Sequence, residues 1–384
     1  MAADTGPGHS VGAQAGERIA ILLHAAQGGG AERAMITVAN QLAETGRTVD
    51  LVLTRKQGPL LSEISGDVRL VDLGAGQVRK AFGALNRYVR EARPDVMMSA
   101  LPSTDMLALL GKAVFRWPLR LVISVQNNPT AESVGETRFL ERRWPFFIRR
   151  LYPSADQVIA ISEGVAEEVS KIWGERRGAI PVINNPLDLE RVDRMRAEAP
   201  EHPWLADQTI PTALAVGRLV PQKDYPTMLK AFAKVRATRQ IRLAIAGQGP
   251  DQAVLEALCR ELGIENDVAF MGFVSNPFAA MATASVFVLS SRWEGFANVV
   301  AEAVCCGASI VSTDCPAGPA EILEDGKWGV LTPVGDVDAL AAGLERAFDA
   351  DVDKAALRQR AEAFAKQTIA ERYFDFLRPR KAAA

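Results

Sequence analysis

Histidine and cysteine are scarce in this 384-residue chain, at three and four residues. Cys259, Cys305, Cys306 and Cys315 combine with those histidines into no metal-ligating spacing, so neither a metal nor another cofactor is expected. Neither sign of charge is in excess: the net charge of −2 argues against a dedicated nucleic-acid binder, which carries a basic surplus. No apolar run approaches the roughly 20 residues needed to cross a bilayer. Residues 1–16 are small and polar and lack the apolar core of a secretory signal. They read as a disordered tail on a cytoplasmic protein. The adjacent Cys305 and Cys306 lie in an apolar stretch and read as buried thiols of a reducing compartment. Low-complexity segments and short-period repeats are also missing.

What remains is an ordinary globular composition, 48% hydrophobic and 23% charged, long enough for two cores. Short β-branched runs alternate with amphipathic stretches. Strands are expected at 18–23, 48–54, 68–73, 95–100, 120–125, 157–162 and 179–184, with helices near 31–44 and 79–92. Asn185-Pro186-Leu187-Asp188 then leads into a charged, proline-containing stretch through Pro211. A second series follows, with strands at 212–217, 241–247, 268–271, 286–290 and 309–313 and helices at 227–234 and 251–262. Buried, non-alternating strands between helices indicate parallel sheets covered on both faces. The expected fold is α/β, with two doubly wound Rossmann-like domains facing each other. Their limits are a tail at 1–16, a first domain at 17–187, a second at 188–352 and C-terminal helices at 353–384 that cross back to the first. Ligands of such a pair sit between the domains, beyond the carboxyl ends of the strands.

Three segments carry candidate chemistry. Ser290 to Asn298 reads SSRWEGFAN and is followed by Glu302, so Glu294 and Glu302 lie eight residues apart around Gly295 and a helix start. If most of that interval is helical, the two carboxylates are displaced by up to ~12 Å along the axis. That length suits a nucleotide-sugar, with one carboxylate accepting hydroxyl hydrogen bonds at each end and helix-start amides facing the diphosphate between. Gly217-Arg218-Leu219-Val220-Pro221-Gln222-Lys223 follows a strand and offers a diphosphate one planar cation and one point charge. Gly28-Gly29-Gly30 opens the first helix with Glu32 in its first turn, where glycine amides can approach an anion closely. The dinucleotide fingerprint is absent there, because the position for its third glycine holds Arg33. The same loop, like Gly247-Gln248-Gly249, also reads as a plain strand-to-helix turn.

Together these segments resemble the large retaining glycosyltransferase family 4, which has the two-domain GT-B fold. The likeness covers nearly all of the chain after residue 17 and is densest at 217–232 and 290–323, with GGGAER and INNPLD (183–188) adding to it. It resembles bacterial enzymes that build surface glycans on polyprenyl-diphosphate carriers from UDP-sugars. The resemblance implies retaining, metal-independent transfer of a hexose or N-acetylhexosamine to a glycan or lipid-linked acceptor. Arg218 and Lys223 would hold the donor diphosphate, while Glu294 and the backbone of Gly295, Phe296, Ala297 and Asn298 line the sugar. Glu302 would bind the ribose, Phe273 and Val274 the base, and Gly217 would leave room for the ligand. Gly28, Gly29 and Gly30, with Gln126 and Asn127, would face the diphosphate or acceptor. One departure stands out: many members carry a histidine near the transferred sugar, where this chain has Val125-Gln126-Asn127-Asn128-Pro129. His24 is expected to be a packed or hydrogen-bonded residue instead.

Residues 138–152, RFLERRWPFFIRRLY, interleave five arginines with aromatics around Pro145. They read equally as a headgroup-level helix on the inner face of the cytoplasmic membrane or as core aromatics beneath solvated arginines. Two other functions remain on the sequence alone: a sugar-nucleotide epimerase of similar shape, and a non-catalytic component of a glycan-assembly complex. An epimerase needs further acid/base side chains, which a histidine-poor chain is slow to supply.

Overall fold

Burial decides the architecture. The run Ile19–Leu23 has no exposed surface, and the other central strands are equally dry, so both faces of each sheet must be covered by helices. A computed structural model describes residues 17–76, 80–130, 143–174 and 179–378. The first sheet contains β1 (Arg18–Leu23), β2 (Thr48–Leu53), β3 (Arg69–Asp72), β4 (Val96–Ser99), β5 (Arg120–Val125) and β6 (Gln157–Ala160). The second contains β7 (Thr212–Val216), β8 (Arg242–Ala246), β9 (Val268–Gly272), β10 (Val286–Leu289), β11 (Ile310–Thr313) and β12 (Val330–Thr332). Their orders are 3-2-1-4-5-6 and 12-11-10-7-8-9, and every strand pairing within the sheets is parallel. Two doubly wound α/β domains follow, each with a point where strand order reverses: β1 beside β4, and β7 beside β10.

Local chemistry sets where the helices begin. The side chains of Ser162, Asp188, Asn276 and Asp336 accept from the backbone amides of Val165, Arg191, Ala279 and Ala339. The last helix, Lys366–Leu377, packs on the first domain: Ile369, Ala370, Tyr373 and Leu377 share a core cluster with Ile19, Met35 and Leu42. Backbone bonds from Leu187 to Phe364 (2.7 Å) and from Lys366 to Leu187 (2.8 Å) tie it to the interdomain junction. All four cysteines are buried and free.

Three expectations need correction. Residues 179–184 form only an isolated bridge, Ala160 to Val182, because Pro181 cannot donate to a ladder. β12 was missed because it has only three residues and follows a charged turn. The helix after Gly295 starts at Asn298, so only the second half of the Glu294–Glu302 interval is helical and contributes about 6 Å of rise. Residues 1–16 and 138–142 lie outside the described residues.

Candidate functional site: the seam between the two domains

The strand-order reversal at β7 and β10 brings two distant loops side by side. Ser290 Oγ donates to the Lys223 carbonyl (2.6 Å), Arg292 N to the Gln222 carbonyl (2.8 Å), and Gln222 Nε2 to the Trp293 carbonyl (2.9 Å). These bonds close the GRLVPQK loop onto the SSRWEG loop. Between them Lys223 Nζ meets Glu294 Oε1 at 2.6 Å, with both side chains largely buried. Ser291 Oγ donates to the same oxygen at 2.6 Å. Among the described residues Glu294 Oε2 takes no hydrogen bond, which leaves an acceptor for a ligand. Arg218, five residues earlier on the same loop as Lys223, is exposed, with no side-chain partner among the described residues. A loop that carries a buried carboxylate–ammonium pair and an uncommitted guanidinium offers groups for a sugar hydroxyl and for a phosphate.

Glycine is required where the domains meet. A Cβ on Gly295 would lie 2.1 Å from the Gln126 carbonyl oxygen, and one on Gly164 would lie 2.7 Å from Ala317 Cα. Ser162 Oγ donates to the Gly295 carbonyl (2.6 Å), and Glu163 N to Glu321 Oε2 (2.9 Å). Burial raises the Glu321 carboxyl, opposed by the Glu163 amide and by Asn184, whose Nδ2 donates to its other oxygen at 2.6 Å. Thus the segment from Glu294 to Asn298 is pressed between the domains. Phe296 and Ala297 are buried, and Ala297 adopts a left-handed conformation (φ 64°) that aims the helix start at Asn298.

Glu302 lies one turn into that helix and lines a separate small cavity of about 110 Å³ with Arg33, Glu63, Arg191 and Lys366. Burial pushes its carboxyl up to about 7, against the pull of Arg33 and Arg191. Those two arginines are themselves held by Glu63, Arg33 at 2.9 Å. Glu294 and Glu302 therefore serve different surroundings rather than one shared face.

The amides of Gly28 and Gly29 both donate to Glu32 Oε2 at 3.0 Å, a capping arrangement at the helix start. Gly30 instead meets the second domain: a Cβ there would stand 2.5 Å from Asn298 Nδ2. Gly217 lies against Lys223 and under Tyr225, whose hydroxyl donates to its carbonyl (3.0 Å). Phe273 is 75% exposed after the left-handed Gly272, while Val274 packs against the core. Gln126 is buried and Asn127 is exposed. His24 Nδ1 is paired with Thr54 Oγ1 at 2.6 Å, a structural role. In the described part of 138–152, Trp144, Ile148 and Tyr152 enter the core, whereas Phe146, Arg143, Arg149 and Arg150 face outward. No helix among the described residues is long and apolar enough to cross a membrane.

Sequence reasoning missed Asn184, Asn185, Ser162 and Glu321 as seam residues. Their partners lie more than 100 positions away, or meet them only across the folded interface; the INNPLD motif was the one available signal.

Comparison with known proteins agrees with this geometry. Residues 200–368 match the model "Glycosyl transferases group 1" and residues 28–191 the model "Glycosyltransferase Family 4". The chain is 30% identical, over 71% of its length and 73% of the relative's, to a Campylobacter jejuni protein. That protein is named N-acetylgalactosamine-N,N'-diacetylbacillosaminyl-diphospho-undecaprenol 4-alpha-N-acetylgalactosaminyltransferase. It is 25% identical to the Rhizobium meliloti lipopolysaccharide core biosynthesis glycosyltransferase LpsE, over 92% of this chain and 97% of that one. The fold matches Anabaena HepE in complex with UDP and glucose, with a TM-score of 0.74 at 21% identity, covering 94% of this chain and 98% of that one. The chain belongs to the family 4 glycosyltransferases of GT-B fold.

Proposed function

We propose that this glycosyltransferase moves a hexose or N-acetylhexosamine from a UDP-sugar to a polyprenyl-diphosphate-linked glycan, with retention of anomeric configuration and without a metal. The observation that carries the reading is the buried Lys223–Glu294 pair at the strand-order reversal of the second domain, on a loop that also carries the unpartnered Arg218. A diphosphate leaving group develops negative charge as the C1–O bond breaks. Arg218 and Lys223 would neutralise it, the task that a divalent ion performs elsewhere. Glu294 Oε2 would accept from a sugar hydroxyl. The acceptor hydroxyl would attack C1 from the face that the phosphate leaves, and its proton would pass to a departing phosphate oxygen. Glu302 would accept from the ribose, and Phe273 and Val274 would lie by the base.

Support for a UDP donor and a lipid-linked acceptor comes from the relatives: the Campylobacter enzyme's name specifies a diphospho-undecaprenol acceptor, and HepE was captured with UDP. The outward Phe146 with Arg143, Arg149 and Arg150 would let the first domain rest peripherally on an anionic cytoplasmic leaflet, close to such an acceptor. The test is thermal-shift screening against UDP, GDP and ADP, followed by NMR of the product formed from the matching sugar nucleotide and undecaprenyl-diphosphate-linked glycans. Stabilisation by UDP and an α-linked product from an α-linked donor are expected. An inverted product or no nucleotide binding would refute the proposal.

A further inference from the structure

The first-domain helix Glu163–Trp173 starts against the second domain. Its leading amide, Glu163 N, has no acceptor within the helix and donates instead to Glu321 Oε2 at 2.9 Å. Ser162, just before it, caps Val165 N with its side chain and donates Oγ to the Gly295 carbonyl at 2.6 Å. Asn184 supplies a further donor: its Nδ2 reaches Glu321 Oε1 at 2.6 Å and the Ile161 carbonyl at 3.0 Å. Both carboxylate oxygens of a second-domain residue are thus taken by first-domain groups, and the positive pole of the helix adds to the attraction. Gly164 leaves no slack, because a Cβ there would lie 2.7 Å from Ala317 Cα.

The loop that leads to Glu321 is also the wall behind Glu294. Thr313 Oγ1 donates to the Ser291 carbonyl at 2.7 Å, and Glu294 N lies 3.4 Å from the Pro316 carbonyl oxygen, to which it donates. Gly318 is pressed so closely on Phe296 that a Cβ would stand 2.3 Å from its carbonyl oxygen. The short helix Pro319–Ile322 then carries Glu321 to the seam. Arg360 holds that helix in place, donating to the carbonyls of Glu321 (2.8 Å) and Ile322 (3.0 Å). A continuous set of bonds therefore runs from the first-domain helix through Glu321 to the segment that bears Glu294.

We propose that Glu321 is a positioning residue for Glu294. With the first-domain helix docked on its carboxylate, residues 313–318 seat the segment 290–296 so that Glu294 meets the hydroxyl of the transferred sugar. Contact between the domains and completion of the sugar site are then a single event. The role rests on the glycosyltransferase reading above and concerns the sugar, so UDP alone binds equally well with or without it.

The test compares full-length wild type, Glu321→Ala and Asp336→Ala. Asp336 caps the helix Val337–Phe348 by accepting from Ala339 N and controls for the loss of a cap as such. Amide hydrogen exchange is followed at 290–298. UDP release is measured with UDP-glucose, UDP-galactose, UDP-N-acetylglucosamine and UDP-N-acetylgalactosamine, alongside the dissociation constant of UDP. Glu321→Ala is expected to exchange at least ~3-fold faster at 290–298, to lose about tenfold in kcat and to shift UDP dissociation less than about twofold. Asp336→Ala is expected to lose stability only, with kcat and exchange at 290–298 unchanged. Faster exchange confined to 163–166 would make Glu321 a helix cap and nothing more, and the proposal falls. It falls too if UDP binding weakens in step with kcat, or if Asp336→Ala lowers kcat as far. Should Glu321→Ala not fold, Glu321→Gln is read in the same way. That variant keeps the side chain's size, removes its charge and sets N–H groups against those of Asn184, so roughly a threefold loss of kcat is expected. Wild type that releases UDP from none of the four donors overturns the UDP-sugar reading, and exchange at 290–298 then decides the coupling alone. An active wild type with unchanged kcat in Glu321→Ala overturns this role alone.

Discussion

Replacing Lys223 by Met keeps the length of the side chain and removes its charge. At the observed 2.6 Å from Glu294 Oε1, the pair's gross attraction is roughly 6 kcal/mol at an effective dielectric of about 20. Much of that offsets the desolvation of two largely buried charges, so the net loss is far smaller. Ser291 still donates to the carboxylate in the variant, which limits the cost to about 2–3 kcal/mol of second-domain stability. Turnover should suffer more. Losing one preorganised charge on a developing anion lowers kcat by about 10²–10³. The double variant Lys223→Met, Glu294→Gln separates the two effects: it no longer buries an uncompensated carboxylate, so it should recover part of the stability and none of the activity. Coupled-assay UDP release and urea denaturation of the same preparations read both quantities. Wild-type turnover in Lys223→Met, or no recovery of stability in the double variant, would rule out these roles for the pair.

Three further outcomes follow from the same geometry. Gly295→Ala forces a Cβ to within 2.1 Å of the Gln126 carbonyl oxygen, so it should part the domains, lower activity at least ~10-fold and enlarge the radius of gyration in X-ray scattering; unchanged scattering and activity would contradict the closed seam. Glu302, with its carboxyl raised to about 7 from 4.5, retains its proton in the fold over a range where the unfolded chain has lost it. Its contribution is therefore full below about pH 4.5 and is lost as pH rises through about 7, by no more than roughly 3 kcal/mol. The stability difference between wild type and Glu302→Gln should thus fall across that window, and a difference that rises with pH would refute the assignment. Arg149→Glu with Arg150→Glu should weaken sedimentation with phosphatidylglycerol vesicles at low salt while leaving UDP release intact; equal sedimentation would remove the membrane contact.

Much of the fold was legible because parallel strands buried on both faces are written as apolar β-branched runs. Ile19–Leu23, Leu121–Val125 and Phe287–Leu289 declare themselves without reference to anything distant. The Lys223–Glu294 meeting was foreshadowed by two motifs, yet only the β7–β10 adjacency, set by sheet order, brings residues 71 positions apart together. Asn185 sits in the INNPLD motif, whereas Ser124 and Tyr373 belong to no motif. Ser124 and Tyr373 are 249 positions apart, and their relation exists only once the last helix has packed on the first domain. Segment 179–184 misled because its apolar residues pattern like a strand while Pro181 withholds a donor. Whether the glycine-loop amides are free depends on a nearby side chain that spacing alone does not place, and Glu32 takes those of Gly28 and Gly29.

If Arg218 and Lys223 grip a diphosphate, calorimetric titration of uridine, UMP and UDP into wild type and into Arg218→Ala separates the phosphates' share of binding from the base's. Wild type should bind UDP at least ~10-fold tighter than uridine, and Arg218→Ala should lose most of that preference while binding uridine unchanged. An Arg218→Ala protein that keeps the full preference for UDP would mean that the arginine does not hold the phosphates.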